Sequence, residues 1–320
     1  MIAGKRTKRK YRVIGKPPCL RATGAQSVEW SRLGRRDSKM NWQAYFASLQ
    51  TKRSAIGTFV RQAAGFRAFI PAKLEPIKKA GLASEQLRLY PKNQRELAFC
   101  EQLLVHLSTS DVVAKIPFPK IASGIQYPST HHTVAQTANL AVAYDFAFSS
   151  LRERPISTNL LLEIHSLLLK GTPRAKYAGA LRKHQNWIGG HRGPHSAAHV
   201  PPPFHDLEAG MRDLEEFLSP DCPLPASIQA TLAFGQFELL HPFFNANGRL
   251  GRLLFLLVLA TRGMSIAPRL PMESVLRHHR DRYLFECTYL QWRADWNPWI
   301  AFILQMLSSC IRSVTDVVPR

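Results

Sequence analysis

The side chains best suited to chemistry lie together in residues 241–252, which read HPFFNANGRLGR. Apolar helical patterns flank this stretch, so we expect a loop that carries His241 and a helix that begins near Gly248. The first turn of a helix offers unpaired backbone N–H groups and the positive end of the dipole, which suit phosphate oxygens. Arg249 and Arg252 share one face of that helix. His241 is the side chain of this stretch that can take up a proton near neutral pH.

Two interpretations fit these residues equally well. The first is a phosphate-binding helix N-terminus with a general base beside it. Ala246 and Gly248 favour it because small residues let the backbone approach an anion closely, and guanidinium groups bind phosphates through forked hydrogen bonds. The second is a helix–turn–helix corner that carries an ordinary pair of surface arginines.

The same stretch resembles the signature of the Fic family, His-x-Phe-x-(Asp/Glu)-(Gly/Ala)-Asn-(Gly/Lys)-Arg-x-x-Arg, at every position except Asn245. Other segments resemble further parts of that family over residues 120–310. They are residues 162–171, Gly179, Arg182, QNWIGG at 185–190, VPPP at 200–203 and DWNPW at 295–299. The resemblance implies an all-α fold, the Fic helical bundle, with a short β-hairpin flap in the loop before the signature helices.

Fic proteins mostly transfer AMP from ATP to a hydroxyl of a target protein and release pyrophosphate. The resemblance therefore implies a protein adenylyltransferase that uses Mg²⁺ and ATP, with His241 deprotonating a Ser, Thr or Tyr hydroxyl. The Asn247 side chain and the backbone around it would cradle the α-phosphate, and the two arginines would hold the outer phosphates. The nucleotide-binding positions implied are Ala246, Asn247, Gly248, Arg249, Gly251 and Arg252.

The resemblance also implies a surface for the target protein. The flap at residues 185–203 would align an extended target segment beside the nucleotide by adding a strand. Phe243 would anchor the signature loop in the core. The target-binding positions implied are Trp187, Ile188, Gly189, Gly190 and Val200.

Asn245 departs from the family pattern at the position where an acid binds Mg²⁺. Mg²⁺ prefers charged oxygen ligands, and an amide oxygen offers no charge. We therefore expect a weak metal site at Asn245, with slower transfer, an altered donor or loss of activity. The alternative to an active enzyme is a catalytically impaired Fic protein that binds nucleotide or acts as a scaffold.

A second departure concerns autoinhibition. Many Fic proteins carry a glutamate on an inhibitory helix that pairs with the second arginine of the signature. Residues 121–127, IASGIQY, resemble that element with Gln126 at the glutamate position. A neutral amide cannot form the ion pair with Arg252, so weak or absent inhibition through this element is expected; these residues also fit an ordinary loop.

The excess of positive charge is concentrated at the N-terminus. The formal net charge is +21, and residues 1–40 contribute 12 basic side chains against two acidic ones. We interpret residues 1–40 as a basic disordered arm or an over-extended start preceding Met40. The alternative is an arm that binds nucleic acid or an anionic membrane surface. Residues 41–130 are predicted to be an N-terminal helical region similar to the Fic_N region, and residues 131–312 the Fic core.

Five cysteines without a CxxC pair favour a reducing compartment and disfavour a disulfide framework. The longest strongly apolar run, residues 253–260, is far too short to span a membrane. We therefore expect a cytoplasmic protein without a membrane span, which binds ATP and a target protein. Both a monomer and a homo-oligomer fit the sequence. Nucleic acid is an expected partner only through residues 1–40.

Periodicity outside the signature predicts a mostly helical chain. Three flap histidines, His191, His195 and His199, are predicted to be solvated, because the glycine and proline content argues against a helix that would align them. Trp187, like other tryptophans of the chain, is predicted to lie in the core. The predicted helices cover 93–108, 133–151, 207–218, 227–240, 249–261 and 280–293, with two more beginning at 155–157 and 297.

Overall fold

The computed structural model describes residues 57–61, 67–71, 91–109, 134–188, 199–293 and 296–316. Two strands, β1 (Gly57–Arg61) and β2 (Arg67–Pro71), pair antiparallel with Gly57 opposite Pro71. The helices of this part are α1 (Pro91–Thr109), α2 (Val134–Ser150), α3 (Thr158–Leu169), α4 (Leu207–Phe217), α5 (Ala226–Leu240), α6 (Asn247–Thr261), α7 (Met272–His278), α8 (Arg280–Arg293) and α9 (Trp296–Thr315). Short 3₁₀ turns occupy Ala175–Tyr177, Phe204–Asp206 and Ala267–Arg269.

Helices α5 and α6 form the centre of the bundle. All residues of α5 except Glu238 are buried, and a helix that is buried all round must be covered by other elements. It packs most extensively against α6 and also contacts α1, α4, α8 and α9. Because these two helices flank residues 241–246, the best-packed part of the described chain holds the predicted reactive loop.

Helix α9 closes the core against α5. Trp299 is buried, and its indole N–H donates to the Thr231 carbonyl at 2.9 Å. Gly235 makes this close packing possible, since a Cβ there would lie 2.6 Å from a ring carbon of Trp296. The prediction that tryptophans fill the core is confirmed for Trp296 and Trp299, whereas Trp187 is 43% exposed and that prediction is wrong.

The predicted helices agree with the observed ones within a few residues. Ser157 caps α3 by accepting a hydrogen bond from the Leu160 N–H at 3.2 Å. Helix α7 was not predicted, because seven residues are too few to show a helical period. The antiparallel pair of β1 and β2 is a further element that the expected helical region at 41–130 did not include.

The predicted flap is described only at its two ends. Ile188 and His199 form an antiparallel bridge in which each backbone N–H donates to the other's carbonyl, at 2.9 and 3.2 Å. Residues 189–198, which include Gly189 and Gly190, lie outside the described residues. The N-terminal arm at 1–40 and Gln126 also lie outside them.

Helices long and apolar enough to cross a bilayer are absent from the described ranges. The four cysteines in these ranges, Cys100, Cys222, Cys287 and Cys310, are free thiols.

Candidate active site

Two residues with left-handed backbone conformation bound the loop between α5 and α6. His241 ends α5 with φ 44°, and Ala246 precedes α6 with φ 65°. Among the described non-glycine residues, only these two have positive φ. Such conformations cost on the order of 1–3 kcal/mol each and persist where the surroundings enforce them. The strain therefore concentrates on the loop that the sequence predicted to be functional.

Asn247 holds the loop in this shape. Its Oδ1 accepts from the Phe243 N–H at 2.9 Å, and its Nδ2 donates to the Phe243 carbonyl at 2.8 Å. Both polar groups of this side chain bind the loop backbone, and the expectation that Asn247 contacts a phosphate stays a prediction. Phe243 is fully buried, as expected of the residue that anchors the loop.

His165 of α3 holds the loop through a hydrogen bond and a ring stack, a role that the sequence did not reveal. Gly179 donates its N–H to Nδ1 at 3.0 Å, so Nε2 carries the proton and donates to the Asn245 carbonyl at 3.1 Å. The ring stacks on Phe243 with centroids 4.0 Å apart. Burial lowers the pKa of His165 to about 4, which keeps it neutral in this network.

Arg182 joins the flap to the loop through backbone carbonyls. Its guanidinium donates to the carbonyls of His241 at 3.0 Å, His184 at 3.3 Å and Pro202. Its own N–H donates to the Pro242 carbonyl at 2.9 Å. The side chain is only 4% exposed, and burial lowers its pKa to about 10. The sequence named Arg182 only through the family resemblance, because its burial and these contacts depend on the fold.

The His241 side chain is placed as a neutral base. Its Nδ1 is buried, and an interaction of the ring with the Glu238 backbone carbonyl favours the protonated form and opposes part of the lowering of its pKa. The pKa of His241 is lowered to about 3, first by burial and then by repulsion from His199 in its protonated form and from Arg182. His241 is therefore unprotonated throughout the neutral range.

His199 is buried beside His241, so its predicted solvent exposure is wrong. It is 8% exposed, and its Nδ1 hydrogen-bonds the Oε1 of Gln291 in α8. The Gln291 amide also donates to the Val200 carbonyl at 3.3 Å, which fixes this end of the flap to α8. Burial lowers the pKa of His199 to about 4. Sequence spacing missed this contact because it depends on the meeting of distant segments.

Asn245 occupies the signature position at which the Fic family has an acid. Its Oδ1 is buried and has no hydrogen-bond partner in the described part of the chain. A buried amide oxygen without a hydrogen-bond partner can serve as one uncharged ligand for a hard cation such as Mg²⁺. Groups of three or more His, Cys, Asp or Glu side chains that could hold a metal do not occur among these residues. Metal binding here would therefore depend largely on oxygens of a bound nucleotide.

The start of α6 is arranged for an anion. No side chain caps it, its first turn contains no acid, and Ala246 and Gly248 are small. Arg249 lies in the same turn, so backbone N–H groups, the helix dipole and a cation converge there. Gly251 does not belong to this surface, because a Cβ there would lie 2.6 Å from Oε1 of Glu238 and 3.0 Å from the Phe234 ring. Its predicted phosphate contact is corrected to close packing of α6 on α5.

Arg252 is already paired. Its Nε and Nη2 donate to the two carboxylate oxygens of Glu273 in α7, the latter at 3.0 Å. The forked edge of Arg252 therefore holds a carboxylate, and the expectation that Arg252 binds outer phosphates stays a prediction. Glu273 lies in the short helix that was not predicted, and no sequence pattern indicated its contact with Arg252.

Of the other predicted flap positions, Trp187, Ile188 and Val200 are described, and they lie near the loop. Trp187 is exposed next to the Ile188–His199 bridge. Asn186 donates to the Phe243 carbonyl at 3.3 Å, so the first side of the flap also contacts the signature loop. The structure thus brings Ile188, Val200 and His241 into one region.

Residues 155–259 match the model of the Fic/DOC family. This range contains the loop, most of α6, the flap and the supporting His165 and Arg182. Together with the site geometry, the match assigns a Fic/DOC domain to residues 155–259.

Named relatives and solved structures agree with this assignment. The chain is 29% identical over 181 residues to "Protein adenylyltransferase Fic" of Drosophila willistoni and, equally, to that of Drosophila yakuba, which covers 56% of this chain and 32% of each relative. It therefore spans about a third of their length. A Fic family protein from Desulfovibrio desulfuricans has 24% identity and a TM-score of 0.51, covering 76% of this chain and 71% of that one. Residues 134–508 of Fic-1 from C. elegans have 17% identity and a TM-score of 0.54, covering 70% and 72%. These two structures support the Fic fold.

Proposed function

We propose that the protein is an adenylyltransferase that transfers AMP from ATP to a Ser, Thr or Tyr hydroxyl of a target protein and releases pyrophosphate. One observation carries the proposal: a neutral histidine and the uncapped N-terminus of α6 lie at the two ends of one strained loop, which Asn247 and His165 hold in place. The names of the Drosophila relatives support a transferase at the level of the family.

His241 would act as the general base. With Nδ1 buried, Nε2 would accept the proton of the attacking hydroxyl. A base with a pKa of about 3 is weak in the free protein. A bound triphosphate would place negative charge near the loop and raise this pKa toward neutrality, because opposite charges favour the protonated imidazole. The chain would thus couple base strength to nucleotide binding.

The start of α6 would hold the α-phosphate. Backbone N–H groups at 246–248 point along the helix axis, and Arg249 adds a fixed positive charge. Phosphoryl chemistry needs mainly positioning and charge neutralisation, which these groups provide without covalent help. Mg²⁺, held by Asn245 Oδ1 and by nucleotide oxygens, would supply further charge neutralisation.

The flap would align the target. The Ile188–His199 bridge fixes two antiparallel segments next to His241, and an extended target segment could add beside them through backbone hydrogen bonds. Arg182 would keep that flap at a constant distance from the base, because it binds carbonyls on both sides of the flap and on the loop.

Label transfer from α-³²P-ATP to proteins of a cell lysate tests the proposal. We expect labelling by the full chain, and a loss of at least about 100-fold with His241→Ala, as removal of a general base costs roughly 10²–10⁴. His278→Ala is the matched control, since that imidazole is exposed on α7 and contacts only the Ser274 carbonyl. Equal labelling by wild type and His241→Ala would contradict the proposed role.

The second candidate function is a nucleotide-binding Fic protein without transfer activity. The uncharged Asn245 and the paired Arg252 favour it, because both lower the charge available to a triphosphate. Calorimetry that shows ATP binding to the folded protein, together with no labelling at any metal concentration, would select this alternative.

A further inference from the structure

Lysines and acids are distributed unevenly around the candidate site. Residues 121–320 contain three lysines, Lys170, Lys176 and Lys183, which all lie between positions 170 and 183. Residues 164–205, which include these lysines, contain six lysines and arginines and neither aspartate nor glutamate. This stretch therefore carries a positive charge that no acid within it offsets.

The exposed cations of residues 170–183, here called the basic segment, are available to a partner molecule. They are Lys170, Arg174, Lys176 and Lys183. None of them forms an ion pair with an acid in the described part of the chain. The acid that precedes the segment, Glu163, is held by the two terminal nitrogens of Arg154 at 2.7 Å and does not offset their charge.

The backbone that carries these cations is ordered. The Thr172 hydroxyl donates to the last carbonyl of α3 at 2.8 Å and accepts from the Arg174 N–H at 3.2 Å. The 3₁₀ turn at Ala175–Tyr177 follows, and the Gly179 N–H is bound to His165. A fixed backbone lowers the conformational entropy that is lost when a partner binds, so the segment suits a role in recognition.

Lys176 is linked to the signature loop through two aromatic rings. Its ammonium group lies 5.0 Å from the centroid of the Tyr177 ring, a cation–π contact. Tyr177 stacks on Phe244, with ring centroids 4.3 Å apart. Phe244 directly precedes Asn245 in the loop. The basic segment therefore borders the loop that carries His241.

The C-terminal end of the basic segment leads into the flap. Lys183 follows Arg182, whose guanidinium donates to the His241 carbonyl at 3.0 Å. The flap begins at residue 185, two positions further along the chain. A molecule that binds the basic segment is therefore held next to the flap and to the proposed base.

We propose that the basic segment is a docking surface for an acidic segment of the target protein. The inference rests on the proposed function, in which a target hydroxyl meets His241, and it names the chemistry of the target sequence near that hydroxyl. Opposite charges steer the target to this face and set its specificity, whereas backbone hydrogen bonds at the flap carry little sequence preference. A target segment without acids therefore binds more weakly.

Nucleic acid is also negatively charged, but the aromatic ring beside these cations is already covered. Single strands bind where bases stack on open rings, whereas Tyr177 is covered by Phe244 and Lys176. The adjacent Ile188–His199 bridge suits an extended peptide instead. An oligonucleotide is therefore the competing ligand in the test.

Fluorescence anisotropy of the full chain with three labelled probes tests the inference. The probes are a peptide with acids on both sides of a central Ser-Val-Thr, its counterpart with amides in place of the acids, and a twelve-nucleotide oligouridine. We expect the acidic peptide to bind about tenfold more tightly than the amide peptide at low salt, and this preference to shrink as salt increases. Equal binding of the two peptides would overturn the inference.

Charge reversal locates the binding on the chain. Lys176→Glu combined with Lys183→Glu should reduce the preference for the acidic peptide by at least about fivefold. Lys176→Gln combined with Lys183→Gln should cause an intermediate loss, and this pair decides the matter if the reversed chain does not fold. Arg95→Glu combined with Arg152→Glu is the matched control, because it reverses two exposed arginines in α1 and before α3.

The control separates local binding from the effect of net charge. We expect the Arg95 and Arg152 variant to keep the preference of the wild type. An equal loss in this control, or an unchanged preference in both lysine variants, shows that the acidic peptide binds elsewhere and overturns the inference. Oligouridine that binds more tightly than the acidic peptide, and does so through Lys176 and Lys183, also overturns it.

Label transfer from α-³²P-ATP separates this inference from the proposed function. If the wild type labels lysate proteins but has no preference for the acidic peptide, the docking surface alone is contradicted. If the preference depends on Lys176 and Lys183 but no protein is labelled, the proposed transfer fails and the binding surface is retained.

Discussion

The imidazole of His199 lies edge-on to that of His241, with ring centroids 6.1 Å apart. One ring comes from the end of the flap and the other from the loop that starts after α5. His199 is buried and His241 is half-buried. Both are neutral at pH 7, and Arg182 adds a positive charge beside them. The flap end is thus part of the wall of the proposed active site, and its position depends on Gln291.

His199→Phe tests this coupling. The substitution keeps an aromatic ring but removes the hydrogen bond to Gln291, so the end of the flap should become less well fixed. We expect the KM for the target protein to rise about tenfold while kcat falls less than about threefold. Steady-state labelling kinetics measure both values. His184→Phe, at an exposed flap position, should change neither, and a uniform fall in kcat with constant KM would argue against an aligning role.

Stability should depend on pH through the buried histidines. Their pKa values in the folded protein, about 4 for His165 and His199 and about 3 for His241, lie below the value of 6.5 for an exposed histidine. The unfolded chain therefore binds more protons between about pH 4 and 6.5, and the free energy of unfolding falls as pH decreases through this window, by about 1.4 kcal/mol per pH unit for each group.

Glu238 contributes with the opposite sign. Its folded pKa of about 7 exceeds the ordinary 4.5, so its stabilising contribution is complete below about pH 4.5 and is lost as pH rises through 7. Urea unfolding at a series of pH values between 4.5 and 7.5 measures the net slope. We expect stability to increase with pH overall, and a smaller slope in His165→Asn; a stability that is constant across this range would contradict the buried neutral state of the three rings.

Asn245→Asp should restore a charged metal ligand. The buried Oδ1 lacks a partner, so a carboxylate there would gain a cation as its natural counter-ion. We expect Mg²⁺-dependent label transfer to increase about tenfold or more, and the increase to disappear when EDTA removes the metal. An increase that persists in EDTA would show that the carboxylate acts through something other than a metal.

Gly248 and Gly251 should respond differently to alanine. A Cβ at Gly251 meets Glu238 and the Phe234 ring inside the core, so we expect the free energy of unfolding to fall by about 1–3 kcal/mol. A Cβ at Gly248 meets only the flexible end of Arg252 at 3.1 Å, so stability should change little while ATP affinity falls. Thermal unfolding and calorimetry on both variants separate the two roles, and the reverse pattern would contradict the assignment.

Features that depend on residues close together in the sequence, such as the loop and the helices, could be predicted from the sequence. The order of residues from His241 to Arg252 predicted a loop followed by a helix, and the structure has that helix at Asn247–Thr261. The helices that flank it were also predicted, because their apolar periods extend over several turns.

Contacts between distant segments could not be inferred in the same way. His165, His199 and Glu273 reach the site from three different parts of the fold, and neither periodicity nor spacing records which segments meet. The same limit applies to Asn247: its type was noted, but its bonds to Phe243 became visible only from the loop geometry.

Paired reactions with α-³²P-ATP and γ-³²P-ATP test the central claim most directly. If the hydroxyl activated by His241 attacks the α-phosphorus, a protein target becomes labelled from the α position and not from the γ position, and pyrophosphate is released in proportion. Label transferred from the γ position, or α-label that persists undiminished in His241→Ala, would contradict the account.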